Sequence, residues 1–445
     1  MADNPAAPTH EHKLSTNFWL LWTGQAISAL GSSFTGFALP LLVYNLTGSA
    51  LNLAYATAAY FIPYLLFGLF IGAWTDRTDR KRLMVWTDIA RALTIASVPI
   101  LATLGVLGVW WLYVVLFVNS TLTIAFDASK FAAVASLVDK DELVTANGRI
   151  QASYSTMTIL GPLLAGLLVA VMPIYDLLVI DAVSFGVSTA SLLLITAAFN
   201  APGKPRGTSI RQDVAEGLRY VFGHPVLRNI SLMMALLNFV ATTVYAQRVL
   251  YAKEQLAATD SQVAIMAAAG GFGVIVFSLL AGRLRKRLPF SKVALGALMA
   301  SGFATIGLAL TTWYWLGLVM WALFSGLGIL FNINTNSLRQ AIAPNHMLGR
   351  VLTIAGVLAW SANPLGAYIG ALIIERTQNV GLVFAGIGVL TVLIPVLFAF
   401  GPLGRAEQYL PQPKPEGQPA SQAAHLEEVQ EEGAERPREK VAATR

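Results

Sequence analysis

The chain has 445 residues, of which 56% are hydrophobic and only 12% charged, against about 25% charged in a typical soluble domain. That composition excludes a soluble enzyme or binding module and points to an integral membrane protein. The net charge of +6 does not indicate a nucleic-acid partner, because the bases sit in short turns between apolar runs, and the absence of cysteine excludes disulfides and thiolate metal sites.

A membrane-crossing helix needs roughly 20 apolar residues. By that rule a short polar tail, residues 1–16, precedes six spans near residues 18–44, 51–74, 83–104, 109–137, 149–171 and 177–199. A polar break over 200–225 follows, with the amphipathic pattern of a surface helix at 210–222. Six more spans are expected near 226–251, 263–284, 292–311, 313–337, 348–374 and 380–400. The Pro-, Glu- and Gln-rich stretch 404–445 reads as a disordered tail. The predicted fold is all-α: twelve transmembrane helices in two six-helix bundles, 17–199 and 226–403, joined by the central loop.

The turn from Gly72 to Arg82 holds six ionisable residues between two bilayer-length apolar runs, so it must lie at a membrane surface. Bases recur at every second turn: Lys130, Lys140 and Arg149; Lys204 to Arg219; Arg283 to Arg287; Arg339 and Arg350. The alternate turns are nearly base-free. This asymmetry predicts a multi-pass protein of the cell inner membrane with both termini cytoplasmic. The halves also repeat. Gly148-Arg149-Ile150 is echoed by Gly349-Arg350-Val351, and Gly161-Pro162 by Asn363-Pro364. Two like-oriented repeats suit one half rocking against the other about a midplane site.

Gly72, Asp76, Arg77, Arg80 and Lys81 match the loop signature of the major facilitator superfamily, with Asp79 standing where that signature has its second glycine. Phe126-Asp127-Ala128-Ser129-Lys130, with Ala343-Pro344 and Leu348-Gly349-Arg350-Val351, resembles the macrolide/enterobactin-type efflux branch. The resemblance implies an alternating-access secondary transporter. It implies a cytoplasmic gate in which Asp76 faces the N-terminal end of the eleventh span, at Gly349 and Arg350, with Gly72, Arg77, Arg80 and Lys81 around it. Asp88 and Arg91 extend that network or form a local i, i+3 pair.

The resemblance places spans one, four, seven and ten on a central cavity. Asp127 then becomes the proton-coupling candidate, with a structural pair to Lys130 as the alternative. Cavity candidates are Gln25, Phe34, Phe37, Tyr60, Tyr64, Asn119, Asn238, Trp321, Phe331, Asn332, Asn334 and Asn336, each also compatible with ordinary packing. Arg248 reads as an interfacial side chain that snorkels to the membrane surface. An aromatic cavity with few charges suits a hydrophobic or amphipathic substrate. The expected partners are a small-molecule substrate, protons and membrane lipid, for a monomer. No phosphate loop, metal-ligand set or nucleophile turn occurs, so neither an enzyme nor a cofactor is expected. The alternatives are a uniporter or symporter for metabolite uptake and, further off, a non-transporting scaffold or receptor.

Overall fold

The structure is a computed structural model that describes residues 15–75, 78–138, 142–197, 199, 210–343 and 348–409. In chain order it has α1 (Thr16–Thr47), α2 (Ala50–Thr75), α3 (Arg80–Thr103), α4 (Val109–Leu137), α5 (Leu143–Val169) and α6 (Ile174–Leu194). The surface helix α7 (Ile210–Gly223) follows. Then come α8 (Pro225–Ala246), α9 (Arg248–Leu250), α10 (Asp260–Arg287), α11 (Phe290–Leu310), α12 (Tyr314–Ile342), α13 (Leu348–Trp360), α14 (Asn363–Thr377) and α15 (Val380–Ala399). Among the described residues, twelve helices are long and apolar enough to cross a membrane.

Short polar residues start and stop these helices where the sequence supplies them. Ser15 accepts from the Phe18 amide at the start of α1, and Gly48, at φ 59°, closes its end. Asp79 accepts from the Arg82 amide at 3.0 Å and so caps α3. The residue standing in for a signature glycine is therefore a helix cap. Thr259 and Gln262 form a reciprocal capping box on α10.

The sequence leads one to expect bends at Gly161-Pro162 and Asn363-Pro364 and an unstructured tail, and the three turn out differently. The eleventh span is two helices, because Pro364 at the start of α14 cannot continue α13. The fifth span is not broken at Gly161-Pro162; α5 runs through it. A Cβ at Gly161 would lie 2.2 Å from the Ser33 side chain, so this glycine serves a close crossing of α5 over α1. The tail, expected to lack structure from 404, begins with a 3-10 helix, Pro402–Tyr409. There Glu407 accepts from the Ser291 amide at 2.9 Å and closes the first turn of α11.

Within the first half α1 packs on α5 and α6, α3 on α4 and α6, and α2 on α4. In the second half α11 packs on α12 and α15, α10 on α12, and α8 on α14 and α15. The halves meet chiefly along two crossings, α2 with α14 and α5 with α10.

Candidate functional site

Six-helix packing in the first half buries a cluster of charge. Asp88 is fully buried and Arg91 nearly so, with Arg91 Nη1 3.6 Å from Asp88 Oδ1. Arg91 also donates to Asn119 Oδ1 of α4 at 3.3 Å and to Ser32 Oγ of α1 at 3.4 Å. Its guanidinium carbon lies 4.1 Å from the Phe185 ring centroid. Asp88 Oδ2 accepts from Ser188 Oγ of α6 at 2.6 Å, and Ser188 in turn accepts from Gln25 Nε2 at 3.0 Å. Two turns back along α6, Asp181 is equally buried and accepts from Thr35 and Ser184. The cluster thus joins α1, α3, α4 and α6 and holds two carboxylates to one guanidinium. Gly31 makes room for it, since a Cβ there would strike Ser184 and Asp181.

The sequence had placed Asp88 and Arg91 in the gate network or as a local pair. The pair is real, and it is anchored in the bundle interior by residues from distant helices. Asp127 lies elsewhere: its carboxylate is 52% exposed and pairs with Lys130 at 2.6 Å.

Of the gate residues, Asp76 and Arg77 lie outside the described residues. Gly72 falls in α2, and Gly349 and Arg350 in the first turn of α13. Arg80 donates to Phe199 O, and Lys81 donates to Leu193 O and Ile195 O. Both bases therefore serve carbonyls at and beyond the C-terminal end of α6, where cations are favoured.

The cavity candidates divide. Phe34 and Phe37 are buried in the main apolar core, and Phe331 is buried as well. Asn332 and Asn334 donate back to their own helix at Gly328 O and Leu330 O, and Asn336 accepts from Arg339. Asn238 donates to Ala359 O across α8 and α13. Gln25 and Asn119 belong to the charge cluster. Tyr60 and Tyr64 stand 6.0 Å apart, and Tyr64 meets Trp360 edge-on at 5.9 Å across the two halves. Trp321 is buried, 5.7 Å from half-exposed Tyr245.

The base-poor ends of the halves are bolted together. Glu375 Oε1 accepts from Ser49 Oγ at 2.5 Å and from the Leu51 amide at 3.2 Å, capping α2 from the opposite half. Gln247 Nε2 donates to Ala50 O at 2.9 Å. Tyr55 and Tyr368 stack at 6.1 Å. Gly166 lets α5 approach α10, where a Cβ would lie 2.4 Å from that of Ala264. Of these side chains the sequence marks Gln247, beside Arg248, as interfacial; for the rest, Glu375 in a base-poor turn is the available signal. Glu254, beside them, is hydrogen-bonded to Tyr44, and partial burial raises its carboxyl above the usual range.

Known proteins resemble the chain over most of its length. Macrolide efflux protein A of Streptococcus pyogenes is 26% identical over 367 residues, covering 81% of this chain and 89% of that one. The multidrug efflux pump Tap of Mycolicibacterium fortuitum is 29% identical over 361 residues, covering 76% and 84%. Among solved structures, a bacterial homologue of the human lysosomal transporter Spinster superposes with a TM-score of 0.69 at 15% identity, covering 89% and 98%. The family described as transmembrane secretion effector matches residues 7–425. This multi-pass membrane protein, a transporter and not an enzyme, belongs to the transmembrane secretion effector family of the major facilitator superfamily.

Proposed function

We propose that the protein exports hydrophobic or amphipathic small molecules across the cell inner membrane in exchange for protons, by alternating access. Both termini and the basic turns face the cytoplasm in this reading, since cytoplasmic loops collect Lys and Arg. The seam at Ser49, Gln247 and Glu375 is then the outer gate, held shut. The efflux relatives support the direction, and the aromatic ladder of Tyr60, Tyr64 and Trp360 supports the substrate class.

The observation that carries proton coupling is the charge imbalance inside the first bundle. Arg91 offsets one carboxylate, leaving either Asp88 or Asp181 in surplus. A surplus charge among apolar helices costs several kcal/mol unless a proton neutralises it. Lys130 of α4 is paired with Asp127. Two carboxylates that share one guanidinium can therefore hold and release a proton as the halves move. Asp127 with Lys130, two turns along α4 from Asn119 toward the basic side, serves as the relay to that side.

The test is accumulation of a lipophilic dye in cells expressing wild type, Asp88→Asn, Asp181→Asn, Asp127→Asn or vector, with and without a protonophore. Wild type should lower dye content, and the protonophore should abolish this. Asp88→Asn and Asp181→Asn should match vector at equal expression, and Asp127→Asn should slow export. Wild-type rates in both Asp88→Asn and Asp181→Asn would exclude the cluster as the coupling site.

A further inference from the structure

The seventh span does not end as a regular helix. α8 stops at Ala246, Gln247 leaves helical geometry at φ −94° and ψ 11°, and α9 is followed by a π-helix over Tyr251–Gln255. Such π segments occur frequently at functional sites, where they re-aim side chains. Here two neighbours go to different tasks. Gln247 is fully buried and holds Ala50 of the other half. Arg248 lies over the Trp321 ring, its guanidinium carbon 6.0 Å from the centroid.

Arg248 does not snorkel. It is partly buried, its Nε is sealed from solvent, and among the described residues it makes no hydrogen bond and no ion pair. The nearby acids are engaged, Glu254 with Tyr44 and Asp260 with Lys253. Keeping that one unmet Nε–H donor inside a protein is costly unless something else meets it. Aromatic faces surround it: Tyr245 is 5.0 Å from Phe324 and 5.7 Å from Trp321, and half of its surface is open. α9 also packs on α1, so this corner lies where the two halves meet.

We propose that Arg248, Tyr245 and Trp321 form a recognition site for amphipathic organic acids. A carboxylate or sulfonate takes the guanidinium donors in a charge-assisted pair, and the apolar body lies against the rings. The proposal rests on the transport reading and narrows its substrate class. It also sets the ligand one residue from Gln247, so that the anion is read next to the seam that must part.

The test uses full-length protein in a nonionic detergent and a probe pair of one shape, 2-naphthoate and 2-naphthamide. Wild type should bind the acid about tenfold more tightly, as a desolvated charge-assisted pair warrants. Arg248→Gln should erase that preference and Arg248→Lys should keep part of it. Equal affinity for the two probes in wild type, or an unchanged preference in Arg248→Gln, overturns the proposal. A wild-type measurement covers the case in which Arg248→Gln does not fold. Phenylglyoxal modification of Arg248, followed by mass spectrometry, should be slowed by 2-naphthoate and not by 2-naphthamide. Modification indifferent to the acid, or an Arg248 that the reagent never reaches, also overturns it. Dye export by wild-type cells is scored separately. Absence of export with charge preference intact sinks the export reading alone, and export without charge preference sinks the anion site alone.

Discussion

At the residue scale the determining fact is where polar side chains find partners. Arg91 has Asp88, Asn119 and Ser32, and its removal strands the buried Asp88 carboxylate. Arg91→Met should lower stability by about 3–5 kcal/mol, the usual cost of orphaning a buried charge. Thermal unfolding in detergent should show the loss, and Asp88→Asn in the same chain should restore part of it. His224 gives a pH signature in the second half of the chain. Its Nδ1 accepts from the Leu227 amide and caps α8, and burial holds the imidazole below its ordinary value. A base lowered in the folded state contributes stability above its unfolded value of about 6.5 and loses it as pH falls through that value. His224→Asn, which keeps a capping oxygen, should therefore flatten the drop in melting temperature between about pH 7 and pH 5. The i, i+3 spacing made Asp88 and Arg91 legible in the sequence as a pair. Asp181 stands out in the sequence as a carboxylate within a span, but its place beside them is not legible, because α6 brings it there and no local pattern announces a partner 90 residues away.

At the element scale, small residues set how closely helices approach. A Cβ at Gly273 of α10 would sit 2.0 Å from the Ala322 carbonyl oxygen of α12, and backbone cannot give way as a side chain can. Gly273→Val should cost about 1–3 kcal/mol by overpacking, seen as a lower melting temperature and a smaller yield of monodisperse protein. Apolar run length was enough to find the twelve spans, since the bilayer thickness fixes that length whatever the packing. The break before Pro364 was legible for a chemical reason, the missing amide. The break at Gln247 was not, because no proline or glycine marks it and only the junction with the other half explains it. Gly161-Pro162 is a different case. A proline within a helix suggests a kink, but here the helix runs on and the glycine answers to Ser33 of α1.

At the scale of the whole molecule, the two halves are joined on one face by contacts weak enough to exchange. Glu375→Ala removes one acceptor that holds both Ser49 and the Leu51 amide, and should shift the population toward separation on that face. The chain contains no cysteine, so a Tyr55→Cys/Tyr368→Cys pair, at positions stacked 6.1 Å apart, reports closure without background. Its cross-linking yield should fall several-fold with Glu375→Ala, which corresponds to losing about 1 kcal/mol of a charge-assisted bond. An unchanged yield would mean that the Gln247 bond to Ala50 and the α5–α10 crossing keep that face shut without Glu375.

The cap on α2 has one further consequence. An amide in the first turn of a helix has no partner within that helix, and for Leu51 the partner is borrowed from the other half. Each time the halves part, that N–H meets water. Its deuterium exchange therefore counts openings, while amides deeper in α2 stay silent. A substrate or proton that holds the transporter shut would slow this single clock, and one that drives it open would speed it, with no label attached to the protein.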